Sequence, residues 1–156
     1  MRVDVREAVI GIGTNLGDRA GQIEAARESL LATPGIESVE IGPVIETEPV
    51  LPDDVEEPHP WYLNTVAIIR TRLSPEVLMG RLLAIEANLG RRRSGSVLPR
   101  TLDLDLLLLG QERRNTPGLT IPHPRMWSRS FVRDPLEALR PGLLAEAEIW
   151  MAENDS

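Results

Sequence analysis

Residues 101–109, Thr101-Leu102-Asp103-Leu104-Asp105-Leu106-Leu107-Leu108-Leu109, decide how the rest of the chain is read. Side chains alternate faces along a strand. Leu102, Leu104 and Leu106 then share one face, and Asp103 and Asp105 share the other. Gly110 ends the run, and a basic loop, Arg91-Arg92-Arg93-Ser94-Gly95-Ser96-Val97-Leu98-Pro99-Arg100, precedes it. This strand is the last of a series. Upstream, Ser74-Pro75-Glu76 opens a helix with proline at its first position. Its expected apolar stripe is Val77, Leu78, Leu82, Ile85 and Leu89, and Gly90 closes it. Residues 61–71 (WYLNTVAIIRT) read as a strand, as do residues 36–47. Between those two, residues 48–60 hold four prolines and five acids and read as a loop. Near the start, residues 7–13 (EAVIGIG) form a first strand. Asp18 caps a helix with Ile23, Ala26, Leu30 and Leu31 at helical spacing, stopped by Pro34-Gly35.

The order is β-α-β-β-α-β. With helices packed on an antiparallel sheet, that is the ferredoxin-like α+β pattern. Residues after 117 read as a short, irregular, proline-rich C-terminal extension with short helices from Arg125 and from Pro135. At 156 residues, with no repeat or long linker, residues 1–156 are expected to form a single domain.

Composition narrows the chemistry. All 17 basic residues are arginine, so no P-loop, protein-kinase or Schiff-base lysine is possible. Cysteine is absent, which excludes disulfides and thiolate sites and fits a reducing, cytoplasmic setting. Two histidines, His59 and His123, are too few for a three-histidine zinc site. No apolar run is long enough for a membrane span. Net charge is −7, yet residues 91–133 hold nine arginines against three acids. A local arginine cluster in an acidic chain suits a small polyanion better than a duplex, so no nucleic acid and no membrane partner is expected.

Asp103 and Asp105 lie about 7 Å apart on one strand face, a spacing that lets two carboxylates hold one or two Mg²⁺ ions. Acids at such spacing also occur merely to solubilise a strand face. Two like charges side by side favour the cation reading. Guanidinium groups of the preceding loop would fork onto phosphate oxygens, and phosphoryl-type transfer needs mainly positioning and charge stabilisation. Tyr62 and Asn64 share a strand face and could stack on and read a flat heterocycle, though core packing explains the same spacing. His123 sits between prolines, where a structural role competes with a ligand role. The glycines of residues 11–17 (GIGTNLG) miss dinucleotide-fingerprint spacing and read as a strand-to-helix turn.

Six segments in order, IGIGTNLGDR, ETEPV, WYLNTVA, LLAIEANLGR, PRTLDLDLLL and LTIPHPRMWSRSF, resemble the 6-hydroxymethyl-7,8-dihydropterin pyrophosphokinases of folate biosynthesis. The resemblance implies Mg²⁺-dependent transfer of diphosphate from ATP to the pterin hydroxymethyl group, releasing AMP. It implies two Mg²⁺ ions on Asp103 and Asp105, with Arg91 and Arg100 as catalytic loop arginines. It places the pterin against Tyr62, Phe131, Asn64, Thr47 and Val50, and ATP against Arg93, Leu106, Thr120, His123 and Arg129. A monomer is expected. Val97-Leu98 stand where the family usually has tryptophan then glycine, Ser94 replaces a frequent basic residue, and Arg133 replaces an apolar one. Two rival readings stay open on sequence alone. One is a divergent, non-catalytic pterin- or nucleotide-binding paralogue on the same fold. The other is a ferredoxin-like RNA-binding module, which would want more exposed aromatics and a basic face.

Overall fold

The strand expected at residues 7–13 is β1 (Arg6–Thr14), the centre of the sheet. The computed structural model describes residues 4–15, 18–48, 61–90 and 102–154. After β1 come α1 (Arg19–Leu31), β2 (Ile36–Ile41), β3 (Ile45–Thr47), β4 (Tyr62–Thr71), α2 (Pro75–Gly90) and β5 (Asp103–Leu109). The main sheet runs β2-β4-β1-β5, with β3 also paired to β4, and every pairing is antiparallel. This is the ferredoxin-like α+β arrangement expected from the sequence.

Asp18 caps α1, its Oδ1 accepting from the Gly21 amide at 3.0 Å. The faces of α1 and α2 that meet the sheet are narrower than the sequence suggests. Leu30, Leu78, Leu82 and Ile85 are buried, but Leu31 is 47% and Val77 45% exposed. Each sits one residue, about 100° of helix turn, away from a buried leucine, so it falls on the flank. The single strand expected at residues 36–47 is two. Ile41 pairs with Ala67 but Ile45 pairs with Asn64, so one extra residue bulges at Gly42-Pro43-Val44. Pro43 has no amide hydrogen to donate to a ladder, which favours a break there.

Two cores lie on opposite faces of the sheet. Ala8, Ile10, Ile12, Ala67, Ile69, Leu104 and Leu106 pack under α1 and α2. Val9, Val66, Ile68, Leu107 and Leu108 pack under the C-terminal segment. A register shift beside Val9/Ile10 in the β1–β5 ladder lets Leu107 and Leu108 both serve the second core. Burying a leucine is worth roughly 1.5–3 kcal/mol. A one-residue slip of β5 would expose Leu104 and Leu106 and bury two carboxylates, so its register is strongly fixed.

The C-terminal segment is more regular than expected. A hairpin, β6 (Arg114–Thr116) and β7 (Leu119–Ile121), turns at Pro117-Gly118, where Gly118 adopts φ +81°. Proline followed by a glycine of positive φ is type II turn chemistry. A 3₁₀ turn (Pro124–Trp127) follows, then α3 (Ser130–Leu139) and α4 (Leu143–Glu153). Thus α3 begins before Pro135 and runs through it. Pro135 is buried, and its backbone lies against Gly42, where a Cβ would meet the Pro135 carbonyl oxygen at 3.2 Å. Arg140 closes α3 and pairs with Glu7 on β1 at 2.8 Å and Glu40 on β2 at 2.9 Å, tying the C-terminal layer to the sheet. No helix among the described residues is long and apolar enough to cross a membrane.

Candidate active site

The face of the sheet that α3 and α4 cover is apolar only over part of its length. Along β1 it runs Val9, Gly11, Gly13; along β4, Ile68, Val66, Asn64, Tyr62; along β5, Leu107, Asp105, Asp103. The apolar cover ends where the glycines begin. A cavity of about 580 Å³ opens there, within the usual range for a small-molecule site. Two rows cross its floor, Asn64–Gly13–Asp103 and Val66–Gly11–Asp105. With strands about 4.8 Å apart, the amide and the carboxylates stand roughly 10 Å from each other across a glycine floor. A Cβ at Gly13 would come within 3.1 Å of Asn64 Oδ1, so any larger residue there would push the amide.

Thr47, Tyr62, Asn64 and Phe131 all line this cavity. Asn64 Nδ2 donates to Thr47 Oγ1 at 2.7 Å, which fixes the amide orientation. Tyr62 lines the cavity from β4 and Phe131 from α3, with the Arg129 guanidinium 5.4 Å from the Phe131 ring centre. The chain's one tyrosine and one phenylalanine therefore meet at one cavity. Asp103, Asp105, His123 and Arg129 line it too.

His123 is held by its own backbone. Its amide donates to the Leu107 carbonyl of β5 at 2.8 Å, and the Arg125 amide donates to its Nδ1 at 3.1 Å. With Nδ1 an acceptor, the neutral ring carries its proton on Nε2 and offers it as a donor. Burial pushes the His123 pKa below the usual histidine range; Asp105 opposes this, while Arg129 and Arg125 reinforce it. The unfolded chain therefore takes up this proton first. In the ligand-free protein, the stability that neutral His123 contributes is present above about pH 6.5 and is lost as pH falls below it. Denaturant unfolding at pH 7.5 and 5.5 should show a larger acid loss for the native protein than for His123→Gln.

The remaining expected residues separate into two groups. Leu106 is buried in the core under α1 and α2, so its side chain faces away from the cavity, and Thr120 is exposed on β7 and does not line it. Arg91, Arg93, Arg100 and Val50 lie outside the described residues, as do Ser94, Val97 and Leu98. Arg133 sits away from the cavity: its guanidinium donates to the Trp127 carbonyl at 2.6 Å and pairs with Glu148 of α4 at 3.8 Å.

A family model described as 7,8-dihydro-6-hydroxymethylpterin-pyrophosphokinase (HPPK) matches residues 9–141. The chain belongs to the HPPK family. It is 37% identical over 139 residues to the 2-amino-4-hydroxy-6-hydroxymethyldihydropteridine pyrophosphokinase of Pseudomonas aeruginosa, covering 89% of this chain and 83% of that one. The enzyme of the same name in Bacillus subtilis is 36% identical over 148 residues, covering 95% and 85%. Among solved structures, a Plasmodium falciparum HPPK-DHPS triple mutant with pteroate shares the fold at TM-score 0.64 with 14% identity, covering 86% of this chain. This chain spans 40% of that HPPK-DHPS chain. As an HPPK the protein is a pyrophosphokinase, a diphosphotransferase.

Two residues of this HPPK were not singled out by sequence. Asn15 lines the cavity, and it lies two positions past Gly13 on the same alternation, a signal that was there to be used. Glu86 of α2 is only 8% exposed, and its Oε2 accepts from the Leu104 amide at 2.7 Å, between the two aspartates. That contact joins residues 18 apart, and no local pattern announces it.

Proposed function

We propose that the protein transfers the β,γ-diphosphate of ATP to the hydroxymethyl group of 6-hydroxymethyl-7,8-dihydropterin, releasing AMP, in folate biosynthesis. One observation carries the reading. One cavity is lined by Asn64 and Tyr62 of β4 with Thr47 of β3, suited to a ring, and by Asp103 and Asp105 of β5 with His123, suited to phosphate and its cation; Gly11 and Gly13 lie between β4 and β5, and Phe131 with the adjacent Arg129 guanidinium completes the lining. The pterin ring stacks between the aromatic side chains, and the fixed Asn64 amide reads its edge. The hydroxymethyl oxygen attacks the β-phosphorus, and the bond from that phosphorus to the bridging oxygen breaks, so AMP leaves with the electron pair. His123 Nε2–H and the Arg129 guanidinium donate to phosphate oxygens as their charge shifts. Arg91 and Arg100 are proposed to join them from the arginine-rich loop.

The donor set suits magnesium. Among the described residues no group of three or more His, Cys, Asp or Glu side chains could hold a metal alone. Asp103 and Asp105 would hold the ion and leave its other positions to water and phosphate, as magnesium prefers. When bound it would neutralise phosphate charge. The test incubates the purified protein with ATP, Mg²⁺ and the dihydropterin. AMP and the pterin diphosphate are expected in equal amounts; ADP with a pterin monophosphate, or no product, would sink the reading.

A further inference from the structure

Arg19, the first residue of α1, reaches out of its helix to the two strands that carry Thr47 and Tyr62. Its Nη1 donates to the Trp61 carbonyl at 2.6 Å, and its Nη2 pairs with Glu46 Oε2 at 3.0 Å. Trp61 immediately precedes Tyr62, and Glu46 immediately precedes Thr47. Thr47 and Tyr62 are themselves register partners. The grip comes from the far side of the sheet. Glu46 stands opposite Leu63, which packs against the core under α1 and α2, and cross-strand partners share a face. Thr47 and Tyr62 alternate to the other face and line the cavity.

β3 gains from such a hold. It has three residues, follows the bulge at Gly42-Pro43-Val44, and pairs with β4 alone among the described residues. A slip of β3 against β4 would break the 2.7 Å bond from Asn64 Nδ2 to Thr47 Oγ1, which orients the amide. Arg19 is itself anchored, because the Asp18 side chain caps α1 and Ile23 and Ala26 are buried behind it. A planar guanidinium with forked donors suits joining a carbonyl to a carboxylate. We propose that Arg19 is a positioning residue for the ring half of the cavity, holding Glu46 and Trp61 so that Thr47 and Asn64 keep the arrangement that reads the pterin edge. This inference rests on the function proposed above. Arg19 does not line the cavity, so it acts through these residues. Asp103 and Asp105 come from β5, His123 from the segment after β7 and Arg129 from the start of α3, none of which Arg19 grips. Its loss is therefore felt at the ring and not at the phosphates.

The test titrates 6-hydroxymethylpterin by fluorescence with Mg²⁺ and saturating α,β-methylene-ATP, whose bridge the transfer cannot break, and measures binding of the ATP analogue separately by calorimetry. Arg19→Ala should bind the pterin about tenfold more weakly, the scale of one hydrogen bond, and the analogue as the native protein does. Exposed ion pairs add little to global stability, so its urea midpoint should stay close to native. Thr47→Val removes the hydroxyl through which the clamp acts. In that background Arg19→Ala should weaken the pterin by less than about twofold more, because residues acting through one contact are not additive. Glu46→Ala breaks one of the two tethers at an exposed side chain. It should weaken the pterin by a smaller factor in the same direction, which keeps the test decisive if Arg19→Ala folds poorly. The assignment is overturned if either variant binds the pterin as tightly as the native protein, if Arg19→Ala loses midpoint and both ligands together, or if the Arg19 and Thr47 effects multiply. Native protein that makes AMP while Arg19→Ala matches it in pterin binding overturns the clamp alone. Native protein that binds no pterin and makes no AMP overturns the function as well.

Discussion

Replacing Asp105 or Asp103 by asparagine should lower the rate of AMP formation by about 10²-fold or more, the scale of removing one charge-stabilising group. The two carboxylates share one face of β5 and one cavity wall, and the sheet beneath them is fixed by Leu104 and Leu106 in the opposite core. Asparagine keeps volume and polarity but loses the negative charge a cation needs. The same change should not weaken the ligand-free fold at position 105, because Asp105 is exposed and its neighbour carries the same charge. Activity and stability therefore part company: the rate collapses while the unfolding midpoint of Asp105→Asn holds or rises. The AMP assay at limiting and saturating Mg²⁺, with a denaturant melt beside it, reads both. Either variant working at the native rate in limiting Mg²⁺ would remove the metal role from that residue.

Glu86→Ala should reduce both stability and rate, a different signature. The buried carboxylate reaches from α2 to β5 and accepts from the amide of Leu104, the residue between the two aspartates. Truncation leaves that amide without this acceptor, a loss of about 1–3 kcal/mol. It also frees the backbone that aims Asp103 and Asp105, and misplacement on the order of 1 Å is enough for a 10²-fold loss of rate. Glu86→Gln keeps an acceptor oxygen in reach and should recover a large part of both. Urea unfolding together with kcat at saturating substrates checks it. If Glu86→Ala matched the native protein in both, Glu86 would have no part in holding β5.

The sequence was most legible where one local period governs a segment. Alternation separated Leu102, Leu104 and Leu106 from the two aspartates, and the structure places those leucines in the core opposite the cavity as expected. Tyr62 and Asn64 followed from the same period on β4. Helix flanks were less legible: Val77 and Leu31 are as apolar as their buried neighbours, and only the width of the sheet contact leaves them exposed. The extension was hardest. Pro135 reads locally as a helix start, yet α3 runs through it because its buried ring packs at the bulge of Gly42. The Pro117-Gly118 turn was readable in principle, since its chemistry is local.

The chain's composition and alternation alone determined the available chemistry: arginine and carboxylate with no lysine or thiol, acids opposed to leucines on one strand, and an α+β order of elements. Those are properties of residue type and near-neighbour spacing. Tertiary structure decided which distant side chains share a space. It brought Phe131 of α3 to the cavity that Tyr62 lines and set Glu86 of α2 against the Leu104 amide of the aspartate strand. Such pairings depend on how two layers close over a sheet, and that closure is set by packing summed over the whole chain.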